Sequence, residues 1–160
     1  MPKLRMMLFL LAFGVTLGTA HAQDGRAGVR VQFVTLHSAG GVRGEAFLPI
    51  SARKVEAKKS GGACGAELRF EGRHPSAYVR TLEITLRGEG GEHAIDGRCP
   101  AATLRATLED GTVVTGGSGA VRVRERSSSE LRGDFDWTAT VGGEPLPLKG
   151  EFLTKLPETR

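Results

Sequence analysis

The stretch LRGDFDWTATVGGEPLPLKGEF, residues 131–152, decides the fold because it carries two strand patterns separated by a pair of glycines. In its first half, apolar residues and glycine alternate with polar residues, which is the pattern of a strand with one buried face. Gly142 and Gly143 supply the positive φ angles that a two-residue hairpin turn requires. The stretch therefore predicts an antiparallel hairpin in which Val141 lies opposite Glu144.

The register of this hairpin places each glycine of one strand opposite a phenylalanine of the other. Phe135 falls opposite Gly150 and Gly133 falls opposite Phe152, so that each ring covers the bare backbone of the facing glycine. By the same alternation, Trp137 points inward. These five residues form the predicted structural core of the hairpin.

The charged residues of the hairpin follow from the same register. Asp136 falls opposite Lys149, which is a favourable cross-strand pair. Asp134 falls opposite Glu151, an unfavourable pair, and Arg122 on the preceding strand is expected to offset this repulsion. The outward face of the hairpin is therefore expected to carry both signs of charge.

Two prolines constrain the second strand of the hairpin. Pro145 and Pro147 have no N–H group to donate to a neighbouring strand, and proline is therefore confined to edge strands and strand ends. In the predicted register their missing donors face away from the first strand. This end of the hairpin is expected to be a sheet edge.

The tripeptide Arg132-Gly133-Asp134 raises the question of receptor binding, because cell-surface receptors recognise it when a loop tip presents it. Alternation places Gly133 on the inward face of a strand and the two charged residues on the outward face. A strand does not present the tripeptide at a tip. The tripeptide is therefore interpreted as part of the packing pattern, and receptor binding is not predicted.

Two-residue alternation recurs along most of the remaining chain, and glycine-rich turn segments separate the alternating runs. Only residues 51–59 are a candidate for a helix. Many short strands with almost no helix predict an all-β fold, namely an antiparallel β-sandwich, with a closed soluble β-barrel of about eight strands as the alternative. The predicted strands outside the hairpin cover residues 29–36, 42–48, 65–70, 82–87, 102–109 and 121–126.

The first residues have the three-part pattern of a secretory signal peptide. Lys3 and Arg5 form a basic start, an apolar run follows from Met6, and Ala20 and Ala22 fit the −3 and −1 positions of a cleavage site. The apolar run is too short for a comfortable membrane span. We expect cleavage after Ala22, with no transmembrane segment left in the processed chain.

Removal of residues 1–22 sets the expected domain organisation and location. Residues 23–156 are predicted to form a single β domain, followed by a short tail at 157–160, and the protein is expected to be periplasmic or secreted. Loss of the two leader cations would lower the formal net charge from +4 to +2. An exported chain of such low net charge is not expected to bind nucleic acid.

The two cysteines, Cys64 and Cys99, are predicted to form a disulfide, because isolated cysteine pairs in exported proteins are usually structural. The histidines that remain after cleavage, His37, His74 and His93, show no paired spacing typical of zinc ligands. The sequence therefore predicts neither a metal site nor a cofactor.

No catalytic residue is assigned from the sequence. Ser118 in the segment GGSGA resembles a serine nucleophile elbow only remotely, since that elbow joins a strand to a helix and another strand is predicted here. Ser118 is therefore interpreted as a turn residue. A pair of carboxylates that meets only in space would leave no spacing pattern in the sequence.

An outward stripe of arginines is the main candidate for a binding surface. It is either a solvated face paired with acidic residues of the neighbouring strand or a contact surface for an anionic partner. The members of this predicted surface are Arg122, Arg124, Arg126 and Arg132.

These observations predict an exported, non-catalytic β-domain that acts as a binding or envelope-associated interaction module. Its partner would be an envelope protein, a polysaccharide or an anionic surface. Two alternatives remain, a soluble β-barrel that carries a small apolar ligand and a small secreted hydrolase with no visible motif. A deep apolar cavity would favour the carrier, and a cleft with convergent polar groups and perturbed pKa values would favour the hydrolase.

Overall fold

The computed structural model describes residues 26–35, 42–58 and 64–157. Within these residues the chain forms two antiparallel sheets that pack face to face, so the predicted β-sandwich is confirmed. Both sheets are open in this part of the chain, and the closed-barrel alternative is wrong. The predicted signal peptide lies outside the described residues, as does the predicted tail beyond Pro157.

Eleven strands and one 3-10 turn, Ala52–Lys54, follow one another along the described ranges. The strands are β1 Gly28–Thr35, β2 Val42–Pro49, β3 Glu56–Lys58, β4 Glu67–Arg73, β5 Val79–Arg87, β6 Glu92–Ala94, β7 Ala102–Leu108, β8 Val113–Thr115, β9 Ser118–Arg126, β10 Glu130–Val141 and β11 Glu144–Lys155.

The larger sheet has the strand order β2-β1-β11-β10-β9-β6, and the smaller sheet has the order β3-β4-β5-β7-β8. Three of the four edge strands, β3, β6 and β8, are three residues long, whereas the fourth, β2, has eight. Short edge strands offer few unpaired backbone groups to another chain. No helix in the described ranges is long and apolar enough to cross a membrane.

The helix candidate at residues 51–59 does not form an α-helix over the part that the structure describes. Ser51 caps a single 3-10 turn that buries no residue, and the chain is extended again at Val55. β3 then pairs with β4. A short segment with only one partly buried apolar residue has no face to pack as a helix, so strand pairing determines its structure instead.

The predicted hairpin register is confirmed along its whole length. β10 and β11 pair from Val141↔Glu144 to Glu130↔Lys155, with Phe135 opposite Gly150 and Gly133 opposite Phe152. The alternation of buried and half-buried residues along β10 is strict as far as Ala139. The Arg-Gly-Asp tripeptide therefore lies along a strand, with Gly133 buried.

The rings lie against the glycines as the register predicts. A Cβ atom on Gly150 would overlap the ring of Phe135 and the carbonyl oxygen of Arg30 on β1. A Cβ on Gly133 would likewise overlap the Phe152 ring and a β9 carbonyl oxygen. On β1 and β2, Gly28 and Gly44 are covered in the same way by the rings of Phe47 and Phe33.

The expectation of a sheet edge at the two prolines needs a correction. β11 is an interior strand of the larger sheet, because β1 pairs with its residues 148–153. The ladder between β1 and β11 ends at Phe33↔Leu148, so Pro145 and Pro147 lie beyond it and pair only with β10 among the described strands. The missing N–H groups are accommodated at the end of a strand and not along an edge strand.

The core lies between the inward faces of the two sheets. Trp137 is fully buried, and its indole N–H donates to the carbonyl oxygen of Gly116. Phe70 of the smaller sheet and Phe152 of the larger sheet contact each other, with ring centroids 5.1 Å apart. The sequence prediction that Trp137 belongs to the core is confirmed.

The predicted disulfide joins Cys64 and Cys99, whose Cα atoms are 5.6 Å apart. Cys64 precedes β4 and Cys99 precedes β7, the two strands on either side of β5. The bond therefore links two loops at one end of the smaller sheet.

Candidate functional site

A cleft of about 820 Å³ opens between the two sheets at the end of the sandwich where β4 begins and β9 ends. We call it the end cleft. Its apolar lining includes Leu68, Leu86, Val123, Leu131 and Leu156. Its polar lining includes Lys58, Glu67, Glu89, His93, Arg126, Ser127 and Ser128.

The apolar lining follows from strand alternation. Leu68 and Leu86 lie opposite each other on β4 and β5, on the inward face of the smaller sheet. Leu131 continues the inward face of β10 and is buried. The cleft is thus the open end of the interior, where the two sheets no longer cover each other fully.

His93 is the buried polar residue of the cleft, with only 2% of its surface exposed. It lies on β6 in the larger sheet, and its Nδ1 atom is 3.1 Å from the carbonyl oxygen of Arg87 on β5. A carbonyl oxygen can only accept, so Nδ1–H donates this bond. The hydrogen bond connects the two sheets across the cleft wall. His93 could not be identified as a site residue from the sequence, because an isolated histidine has no spacing signal.

Glu67, one of the residues that line the cleft, is held in two ion pairs. Its carboxylate oxygens lie 3.5 Å from the guanidinium groups of Arg69 and Arg87. Arg87 also donates a hydrogen bond of 2.8 Å to the carbonyl oxygen of Pro100. The negative charge of Glu67 is therefore balanced within the protein, next to the loop that carries Cys99.

A β-bulge in β9 determines which residue reaches the cleft mouth. Gly133 lies opposite Val123, but the next residue back on β10, Arg132, lies opposite Glu125. Arg124 is the extra residue, and beyond it the faces of β9 are exchanged relative to a regular strand. Arg126 consequently lies opposite Leu131, on the inward face, and lines the cleft.

The predicted arginine surface is therefore divided by the bulge. Arg122 and Arg124 lie on the outward face and both pair with Asp134, the former at 3.1 Å. The hydrogen bond to Asp134 raises the pKa of Arg122 above its usual value. Arg132 lies 3.8 Å from both Glu125 and Glu130. Arg126, the fourth arginine of the predicted surface, lies on the inward face of the larger sheet.

The outward face of the larger sheet thus carries closely paired charges of both signs. Lys149 and Asp136 lie 3.2 Å apart, as the hairpin register predicted. Arg30 and Glu45 form another pair at 2.9 Å. These pairs favour the interpretation of a solvated face, while binding of an anionic partner at this face stays a prediction.

A second cavity, of about 780 Å³, lies beside the edge strand β2, and we call it the β2 groove. Phe47 lines it and is 40% exposed. His74 and Ser76 line its other wall, where the Ser76 N–H donates to Nδ1 of His74. Ser118, the remote look-alike of a nucleophile, lies in neither cavity and pairs with Thr138 within the larger sheet.

No family model, no curated protein and no solved structure matches this chain. Among the described residues, no group of three or more His, Cys, Asp or Glu side chains is arranged to hold a metal ion.

Proposed function

We propose that the chain is an exported, non-catalytic β-sandwich module that binds its partner in the end cleft. The observation that carries this proposal is the cleft itself, whose lining combines apolar side chains from both sheets with polar and charged side chains. Its volume of about 820 Å³ falls within the range of sites that bind small molecules. The inward-facing leucines of both sheets provide the apolar contact area.

A binding role accounts for the polar groups of the cleft better than a catalytic one. Glu67 is engaged by two arginines, and Nδ1 of His93 is engaged by a backbone carbonyl that links the sheets. A hydrolase that uses an activated side-chain nucleophile needs that nucleophile and a base within hydrogen-bond reach of each other. The contacts of Glu67 and His93 are instead those of residues that hold the cleft walls in place.

Transport of a small apolar ligand is the second candidate function. It is supported by the apolar side chains that line the end cleft, four of which are leucines. Because the sandwich is open at this end, the ligand would be held with one side towards water. Such a carrier would bind amphipathic molecules better than fully apolar ones.

The test is a titration of the protein, expressed as the full 160-residue chain and purified as the host processes it, with the neutral apolar dye N-phenyl-1-naphthylamine. We expect saturable fluorescence enhancement with one dye per protein. Ser128→Trp should weaken dye binding about tenfold or more, because the indole would fill the cleft while the turn keeps its hydrogen bonds through Ser127. Saturable dye binding that Ser128→Trp leaves unchanged would show that the dye binds outside the cleft.

The matched control is Ser76→Trp, which places the same bulky side chain in the β2 groove. Ser76 is exposed, as is Ser128, so neither substitution disturbs the core. We expect dye affinity of the Ser76 variant to equal that of the unsubstituted protein. Equal loss in both variants would show that the dye responds to a general surface change and not to the end cleft.

A further inference from the structure

The charge at the mouth of the end cleft depends on the bulge in β9. In a regular ladder continuing from Val123↔Gly133, the residue opposite Leu131 would be Glu125. The bulge instead places Arg126 opposite Leu131 and moves Glu125 to the outward face, where it pairs with Arg132. A single extra residue thus replaces an acidic side chain at the cleft mouth by a basic one. Bulges commonly re-aim a side chain in this way beside functional sites.

Arg126 differs from the other three arginines of the predicted surface in having no ion-pair partner among the described residues. Each of the others lies within 4 Å of at least one carboxylate. Lys58, the other cation of the cleft lining, is paired with Glu56 at 3.0 Å. Of the two cations that line the cleft in the described part of the chain, Arg126 is therefore the one available to a ligand.

We infer that the end cleft binds a monoanionic amphiphile, meaning a small molecule with an apolar chain and one carboxylate group, and that Arg126 binds the carboxylate. This inference rests on the proposed binding function and names its ligand class. The apolar chain would lie against Leu68, Leu86 and Leu131, and the planar guanidinium would hold the carboxylate in a bidentate pair at the mouth. Among the described lining residues, one available cation matches one negative charge.

Glu89 is the charged group that opposes this assignment. It lines the cleft, is exposed, and has no ion-pair partner among the described residues. Its carboxylate would repel an anionic ligand through water, where such effects are weak. Arg126 and Glu89 therefore act in opposite directions on the same ligand, which allows a sharp test.

The test compares three probes with the same ten-carbon chain, namely decanoate, 1-decanol and decylammonium, by calorimetry or by displacement of the neutral dye. We expect decanoate to bind about tenfold or more tightly than the other two. Arg126→Gln should reduce decanoate affinity to the level of 1-decanol and leave 1-decanol affinity unchanged. Glu89→Gln should raise decanoate affinity slightly, because it removes a weak repulsion.

The matched control is Arg124→Gln, two residues away on the outward face, which should leave the affinity for all three probes unchanged. If the three probes bind equally, or Arg126→Gln has no selective effect, the inference is overturned while the proposed binding function stands. If decanoate is lost equally in the Arg124 and Arg126 variants, net charge and not the cleft mouth is responsible, which also overturns it. If neither the dye nor any probe binds, the proposed function itself fails.

Discussion

Gly150 and Gly133 show most directly how single residues determine this fold. Each lies beneath a phenylalanine ring and against a carbonyl oxygen of the next strand, Arg30 O for Gly150 and Arg122 O for Gly133. A side chain at either position would have to displace backbone as well as a ring. Both glycines are needed because three strands and an aromatic ring meet where a Cβ atom would lie.

Gly150→Ala is expected to lower the free energy of unfolding by about 2 to 3 kcal/mol, because the new methyl group overlaps both the Phe135 ring and the backbone of β1. Urea denaturation of the purified protein measures this. Gly90→Ala is the matched control, since a Cβ there would make only an ordinary contact of 3.7 Å with the carbonyl oxygen of Glu92. Equal stability of the two variants would contradict the overlap argument.

At the residue scale, the sequence predicted what depends on local pattern and missed what depends on a register irregularity. The pairing of Phe135 with Gly150 could be derived from the glycine turn and the two-residue period alone. The inward position of Arg126 could not, because a bulge leaves no reliable mark in the sequence. Alternation along β9 assigns this arginine to the outward face, where the other three arginines are found.

At the scale of secondary-structure elements, length decided which strands could be predicted. Each of the eight predicted strands corresponds to an observed strand of seven or more residues, with bounds that differ by a few positions. The three missed strands, β3, β6 and β8, have three residues each, too few to show a period of two. Their pairing depends on the longer neighbours β4, β9 and β7, which supply the partner backbone.

The disulfide between Cys64 and Cys99 is the covalent link between elements, and it closes a loop with a sequence separation of 35. Replacement of both cysteines by serine is expected to lower the free energy of unfolding by about 3 to 4 kcal/mol, because the unfolded chain regains the entropy of the open loop. Urea denaturation with and without a reductant checks this.

The reductant should destabilise the unsubstituted protein by the same amount and leave the double serine variant unchanged. A loss below about 1 kcal/mol in both experiments would show that the bond does not restrain the unfolded chain as the loop-entropy argument requires.

At the scale of the whole molecule, the sequence predicted the class of fold but not its topology. Many short alternating strands indicated a sandwich or a barrel, and only the strand order shows two open sheets. The pairing of β1 with β11 joins the two ends of the described chain, and no local pattern encodes such a distant contact. The end cleft could not be predicted either, because it arises where the two sheets separate.

Export is a prediction about the whole chain. Expression of the full coding sequence in a bacterial host should give an exported protein that begins at Gln23. Its N-terminal sequence and its mass, measured by mass spectrometry, check this. The double substitution Ala20→Arg and Ala22→Arg should block cleavage and leave the leader attached, because the cleavage site requires small residues at these positions. An unsubstituted protein that keeps residues 1–22 would contradict the signal-peptide prediction.

The four glycines covered by phenylalanine rings are not equally replaceable. At Gly28 and Gly44 the three nearest atoms all belong to a ring, so a smaller residue in place of Phe47 or Phe33 would remove the closest overlaps. At positions 133 and 150 the overlapping atoms include main-chain oxygen, which no substitution can remove. During sequence divergence, the first two glycines can therefore be lost together with their aromatic partners, whereas the other two should persist after the rings have changed.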